Sequence, residues 1–131
     1  ADASVDLAAQ TKALTRVAGD GTLMDGTLTG TTTMAGALKL ADVSFADEAG
    51  LVLEGASTLA FAGTADLDGV SIRLADPQAI KTAGLPFLTV EEAFLGEPEF
   101  TYGKNGYRAE LTEDGKGYTL AYIGAMQIFI R

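Results

Sequence analysis

The chain has 131 residues, 18 acidic against 9 basic side chains, a net charge of −9, and neither Cys nor His. A surface of that sign repels phosphate backbones and anionic lipid, which disfavours nucleic acid and anionic membranes as partners. The missing residue types exclude disulfides, thiol nucleophiles, a Ser-His-Asp triad, and thiolate or imidazole metal ligands.

A hydrophobic content of 47% supports a packed core, and the length suits one domain. No apolar run reaches the roughly 18 residues of a membrane-spanning helix. The opening ADASVD carries no charged-then-apolar leader and reads as a cut through a longer protein.

Residues 4–17 (SVDLAAQTKALTRV) allow two readings. Val5, Leu7, Leu14 and Val17 could line a short helix with Ser4 as N-cap, or belong to a strand followed by an irregular segment. The strand is the expectation, with residues 1–18 forming an incomplete first coil. From Gly19 the texture changes to short apolar units bounded by Gly or Asp-Gly, in which Leu23, Leu28, Met34, Leu38 and Leu40 are expected to point inward. The glycines and β-branched threonines of this stretch disfavour helix.

Residues 36–56 (GALKLADVSFADEAGLVLEGA) and 57–77 (STLAFAGTADLDGVSIRLADP) then align with a period of 21. Leu38 falls over Leu59, Leu40 over Phe61, Leu51 over Ile72 and Leu53 over Leu74. Alternation of two within each unit puts one face in and one face out. A fixed period near 20 built from strands of three to five residues is the signature of a β-solenoid, here expected over residues 19–77.

After Pro77 the period breaks, and residues 78–131 are predicted to form a C-terminal β cap. Pro86–Val90 is its first strand, and an antiparallel meander follows. Phe100/Tyr102 and Tyr107/Ala109/Leu111 flank a GKNG turn at residues 103–106. Tyr118/Leu120/Tyr122 follow the turn at residues 113–117, and Met126/Ile128/Ile130 come last.

Three segments carry a family resemblance: Gly19-Asp20-Gly21-Thr22-Leu23, Gly36-Ala37-Leu38-Lys39-Leu40, and the run from Leu51 to Phe61. Together they resemble the autotransporter-associated β-strand repeats of large bacterial surface proteins, over residues 19–76 and more loosely over 84–122. The resemblance implies a right-handed parallel β-helix in a secreted or surface-displayed passenger. The asparagine-rich turns of that family are replaced here by Asp and Gly, and a membrane-barrel translocator is not among these residues.

Four groups of side chains are candidates for chemistry. Tyr102, Tyr107, Tyr118 and Tyr122 lie on neighbouring predicted strands and could stack on sugar rings, or simply pack across strands. Glu91, Glu92, Glu97 and Glu99 could supply the paired carboxylates of glycoside hydrolysis, or protect a strand edge. Asp42, Asp47, Glu48, Asp66 and Asp68 sit at expected turns, where they could hold Ca²⁺ or do ordinary turn chemistry. Lys104, Arg108 and Lys116 form at most a small basic spot, and Lys39 and Arg73 fall on outward positions.

No catalytic constellation emerges, and neither cofactor nor metal is expected. The reading is a non-catalytic structural or adhesive segment of an exported bacterial surface protein, with surface glycans or other proteins as partners. A carbohydrate-binding or carbohydrate-active β-helix module and a self-associating β module are the alternatives.

Overall fold

The computed structural model describes residues 4–84, 86–102 and 106–122. Twelve strands and one helix are formed among them. The strands are β1 (Ser4–Lys12), β2 (Arg16–Ala18), β3 (Thr22–Leu28), β4 (Thr31–Phe45), β5 (Gly50–Phe61), β6 (Thr64–Asp66) and β7 (Ser71–Leu74), followed by helix α1 (Pro77–Ala83). Then come β8 (Leu88–Val90), β9 (Ala93–Leu95), β10 (Glu99–Tyr102), β11 (Tyr107–Leu111) and β12 (Gly117–Tyr122). The protein is all-β apart from that helix, and its main sheet is mixed, with ten strands.

Most pairing is parallel, and it falls into three columns. The first joins residues 4–6 to 22–24, 22–24 to 39–41, 38–40 to 59–61, and 59–61 to 88–90. The second joins 10–12 to 26–28 and 43–45. The third joins 16–18 to 33–35, then to 50–54, 71–74 and 99–102. The four alignments read from the period of 21 are all strand partners: Leu38 with Leu59, Leu40 with Phe61, Leu51 with Ile72, and Leu53 with Leu74.

Residues side by side in a parallel pair point the same way, so alternation drives like onto like. Met34, Leu53 and Leu74 are neighbours in the third column, and all three are fully buried. Leu23, Leu40, Phe61 and Val90 do the same in the first. Each such side chain contributes roughly 1.5–3 kcal/mol on burial. The five residues expected inward from 23 to 40 are all buried.

Three expectations need correction. Strands of three to five residues were expected, but β4 has 15 residues and β5 has 12. The chain bends inside these strands instead of leaving them, because single residues take left-handed backbone angles at the corners. Asp25 (φ 58) and Asp42 (φ 56) lie side by side at one such corner. Asp tolerates this region better than most side chains. At another corner Gly36 (φ 113) is required twice over, since a Cβ there would sit 2.3 Å from the Gly19 carbonyl oxygen.

The second correction is α1, within a stretch expected to be strand and meander. Its signals are local. The Asp76 carboxylate accepts from the Ala79 N–H at 3.2 Å, Pro77 opens the first turn, and Gly84 closes the last one in a left-handed conformation. Ile80 anchors the helix to the core.

The third concerns pairing after Pro77. β8, β9 and β10 pair parallel with β5, β6 and β7, so the parallel pattern runs on to Tyr102. Among the described residues, antiparallel pairing is confined to β11 with β12 and β12 with β8. The expected hairpin of Phe100/Tyr102 with Tyr107/Ala109/Leu111 is not formed; β10 pairs with β7 and β11 with β12. At the start of the chain, β1 and β2 are strands, and the helical alternative is not adopted. The expected last strand, Met126/Ile128/Ile130, lies outside the described residues.

Candidate functional site

The tyrosines come together, but as packing. Tyr118 is buried between Phe94 and Phe100, with both ring centroids 5.1 Å away. Burial, with a smaller push from the Glu97 carboxylate, raises its phenol above the ordinary value of 10.0. Tyr107 is buried, and its hydroxyl donates to Gln78 Oε1 on α1 at 2.8 Å. Tyr102 is half-buried, and its oxygen accepts the Ala109 N–H at 2.8 Å, tying β10 to β11. Tyr122 stands opposite Tyr107 in the β11–β12 register, and its side chain lies outside the described residues. Ring faces and hydroxyls here are spent on joining α1, β10, β11 and β12.

The acidic side chains are dispersed along the corners. Glu91 Oε1 accepts the Gly63 N–H at 2.9 Å, and Glu92 Oε1 accepts the Thr64 hydroxyl at 3.2 Å. These two therefore satisfy groups 28 residues earlier, at the bend between β5 and β6. Glu97 and Glu99 are exposed, the latter on β10 beside Ser71. Asp66 Oδ1 accepts the Asp68 N–H at 3.2 Å, a local turn bond. Asp47 and Glu48 are exposed on the link from β4 to β5. Among the described residues no group of three or more metal-ligating side chains is assembled.

Among the basic residues, Arg108 pairs with Glu110 at 3.0 Å, and Lys39 and Arg73 occupy different columns. Lys116 lies in the turn before β12, where its N–H donates to Asp114 Oδ1 at 2.9 Å. The Thr112 hydroxyl and that N–H hold the Asp114 carboxyl below its ordinary value of 3.8. Lys104 lies outside the described residues.

One feature escaped the reading of the sequence. β4 and β6 run alongside each other but do not pair; β6 pairs with β9 in a separate two-stranded sheet. The cause is the phase of the side chains. Val43 and Phe45 are the more buried residues of their stretch, while Ala65 and Leu67 are buried in theirs. Inward positions are thus 22 apart here, against 21 on either side. A one-residue slip sets inward beside outward, and the ladder fails. The strands part around a cleft of about 300 Å³. Asp42 and Ser44 of β4 and Thr64 and Asp66 of β6 line it, together with Leu40 and Phe61. A 22-residue spacing between the pairs Val43/Phe45 and Ala65/Leu67 is the signal that marks it.

No family model matches the chain, and no curated protein or solved structure is similar to it.

Proposed function

We propose that the chain is a segment of a right-handed parallel β-solenoid, closed at one end by the β11–β12 hairpin, and that its work is structural. It is a stalk or display scaffold of an exported bacterial surface protein. The observation that supports this reading is the succession of parallel partners in three columns, each strand lying on the one before it in its column. A solenoid gains stability from each neighbouring coil and leaves its corners free to vary. The acidic surface favours solubility of such an extended β stack. The sequence resemblance to passenger repeats supports the surface location, and the dispersal of acids and bases supports a non-catalytic role.

Two experiments test it. A flexible ten-residue insertion between Asp47 and Glu48 is expected to leave a cooperative melt. Loss of folding would overturn the scaffold role. A screen with chromogenic glycosides and polyuronates is expected to give no turnover. Reproducible cleavage of any of them would make the chain an enzyme.

A further inference from the structure

We propose that the cleft between β4 and β6 binds one neutral, sugar-sized polyol. This goes beyond the scaffold role and rests on the unpaired strand edges, not on the fold label. On one wall, the Ala46 N–H bonds to the Leu28 carbonyl of β3. Alternation then turns the main-chain groups of Val43 and Phe45 the other way, into the cleft. On the other wall, the Leu67 N–H bonds to the Leu95 carbonyl, which turns the main-chain groups of Thr64 and Asp66 towards β4. Both walls offer main-chain donors and acceptors that the neighbouring strand does not satisfy. Such groups are obligatory hydrogen-bonders.

The remaining lining selects the occupant. Asp42, Ser44, Thr64 and Asp66 line the opening, the Thr64 hydroxyl donating to Glu92, and no basic side chain lines it among the described residues. An anion meets two carboxylates. A bare cation meets main-chain N–H groups. A polyol hydroxyl both donates and accepts, so it matches N–H, C=O and carboxylate together. A volume of about 300 Å³ is the lower end of the range for small-molecule sites.

The test is a backbone-amide NMR titration of the whole chain with glucose, galactose, mannose, glucuronate and Ca²⁺ in turn. At least one neutral hexose is expected to shift the amides of Val43, Phe45, Thr64 and Asp66 saturably, with Kd on the order of millimolar. The double variant Asp42→Asn, Asp66→Asn should weaken that binding roughly tenfold through loss of the charge-assisted bonds. Asn tolerates the left-handed corner at position 42, and its amide oxygen at position 66 still accepts the Asp68 N–H, so the melt should be unchanged.

Four results would overturn the proposal. These are no saturable shift at those amides up to about 100 mM hexose, an equal response to glucuronate, tighter and competing occupancy by Ca²⁺, or unchanged affinity in the double variant.

Discussion

Ser57 is where the account is most exposed to a single substitution. Residues 31–35 pair with 50–54, whereas 37–40 pair with 58–61, so β5 carries two more residues than β4 at this bend. The slip leaves the Gly36 N–H without a main-chain partner. The Ser57 hydroxyl supplies one, accepting that N–H at 3.0 Å and donating to the Glu54 carbonyl. Ser57 is 4% exposed, so water does not readily replace it.

Ser57→Ala removes both bonds and leaves the half-buried Gly36 N–H and the carbonyl of the exposed Glu54 without this partner. Losing such a partner costs about 1–3 kcal/mol, and the carbonyl of the exposed Glu54 can turn to water, which places the loss at about 2 kcal/mol. For a chain of this size that corresponds to roughly 6–10 °C in Tm. Urea unfolding followed by far-UV circular dichroism measures it, with m expected to stay constant. A loss under about 0.5 kcal/mol, typical of an ordinary surface substitution, would refute the role given to this hydroxyl.

Three further outcomes are expected. Thr32 is fully buried and its hydroxyl has no partner among the described residues, so Thr32→Val should stabilise by about 1–2 kcal/mol in the same urea assay. Gly36→Ala must displace the Gly19 carbonyl, while Gly30 (φ 70) has nothing within 4 Å of a Cβ. The first should cost about 3 kcal/mol or more and the second about 1, by melting of the paired variants. The Tyr118 phenol is raised in the folded state, so its contribution to stability is complete below pH 10.0 and is lost as pH rises through the folded value. Tyr118→Phe should flatten that alkaline decline in a pH series of melts, and an unchanged slope would count against the cause assigned.

The repeat was legible because alternation and period acted together. Leu38, Leu40, Leu51 and Leu53 each name their partner 21 residues on, and that spacing is the register. The next layer was hidden by an insertion. Leu59 pairs with Leu88, 29 residues on, because α1 and its flanking turns occupy the difference. The helix announced itself through Asp76, Pro77 and Gly84, but the apolar alternation around it drew attention to strands. Long strands were illegible for another reason: Asp25 and Asp42 turn the backbone without ending the ladder, and Asp-Gly reads as a turn from sequence.

Among candidate site residues, sequence could not say whether the rings of Tyr102, Tyr107 and Tyr118 faced solvent. The packing of Phe94, Phe100 and Gln78 around them decides that. The β4–β6 cleft depends on a one-residue phase difference that the shared period of 21 masks.

The central claim is the order of the parallel layers, and one distance tests it most directly. Arg16, Thr33, Val52, Arg73 and Thr101 are successive partners on the outer face of the third column. Four strand spacings separate the first from the last, about 19 Å. The chain has no cysteine, so Arg16→Cys with Thr101→Cys gives one clean pair for nitroxide labels. Pulsed electron paramagnetic resonance should return a single distribution centred near 20 Å, broadened by the label tethers. A distribution centred well beyond 30 Å, or split into separate populations, would contradict the stacked register.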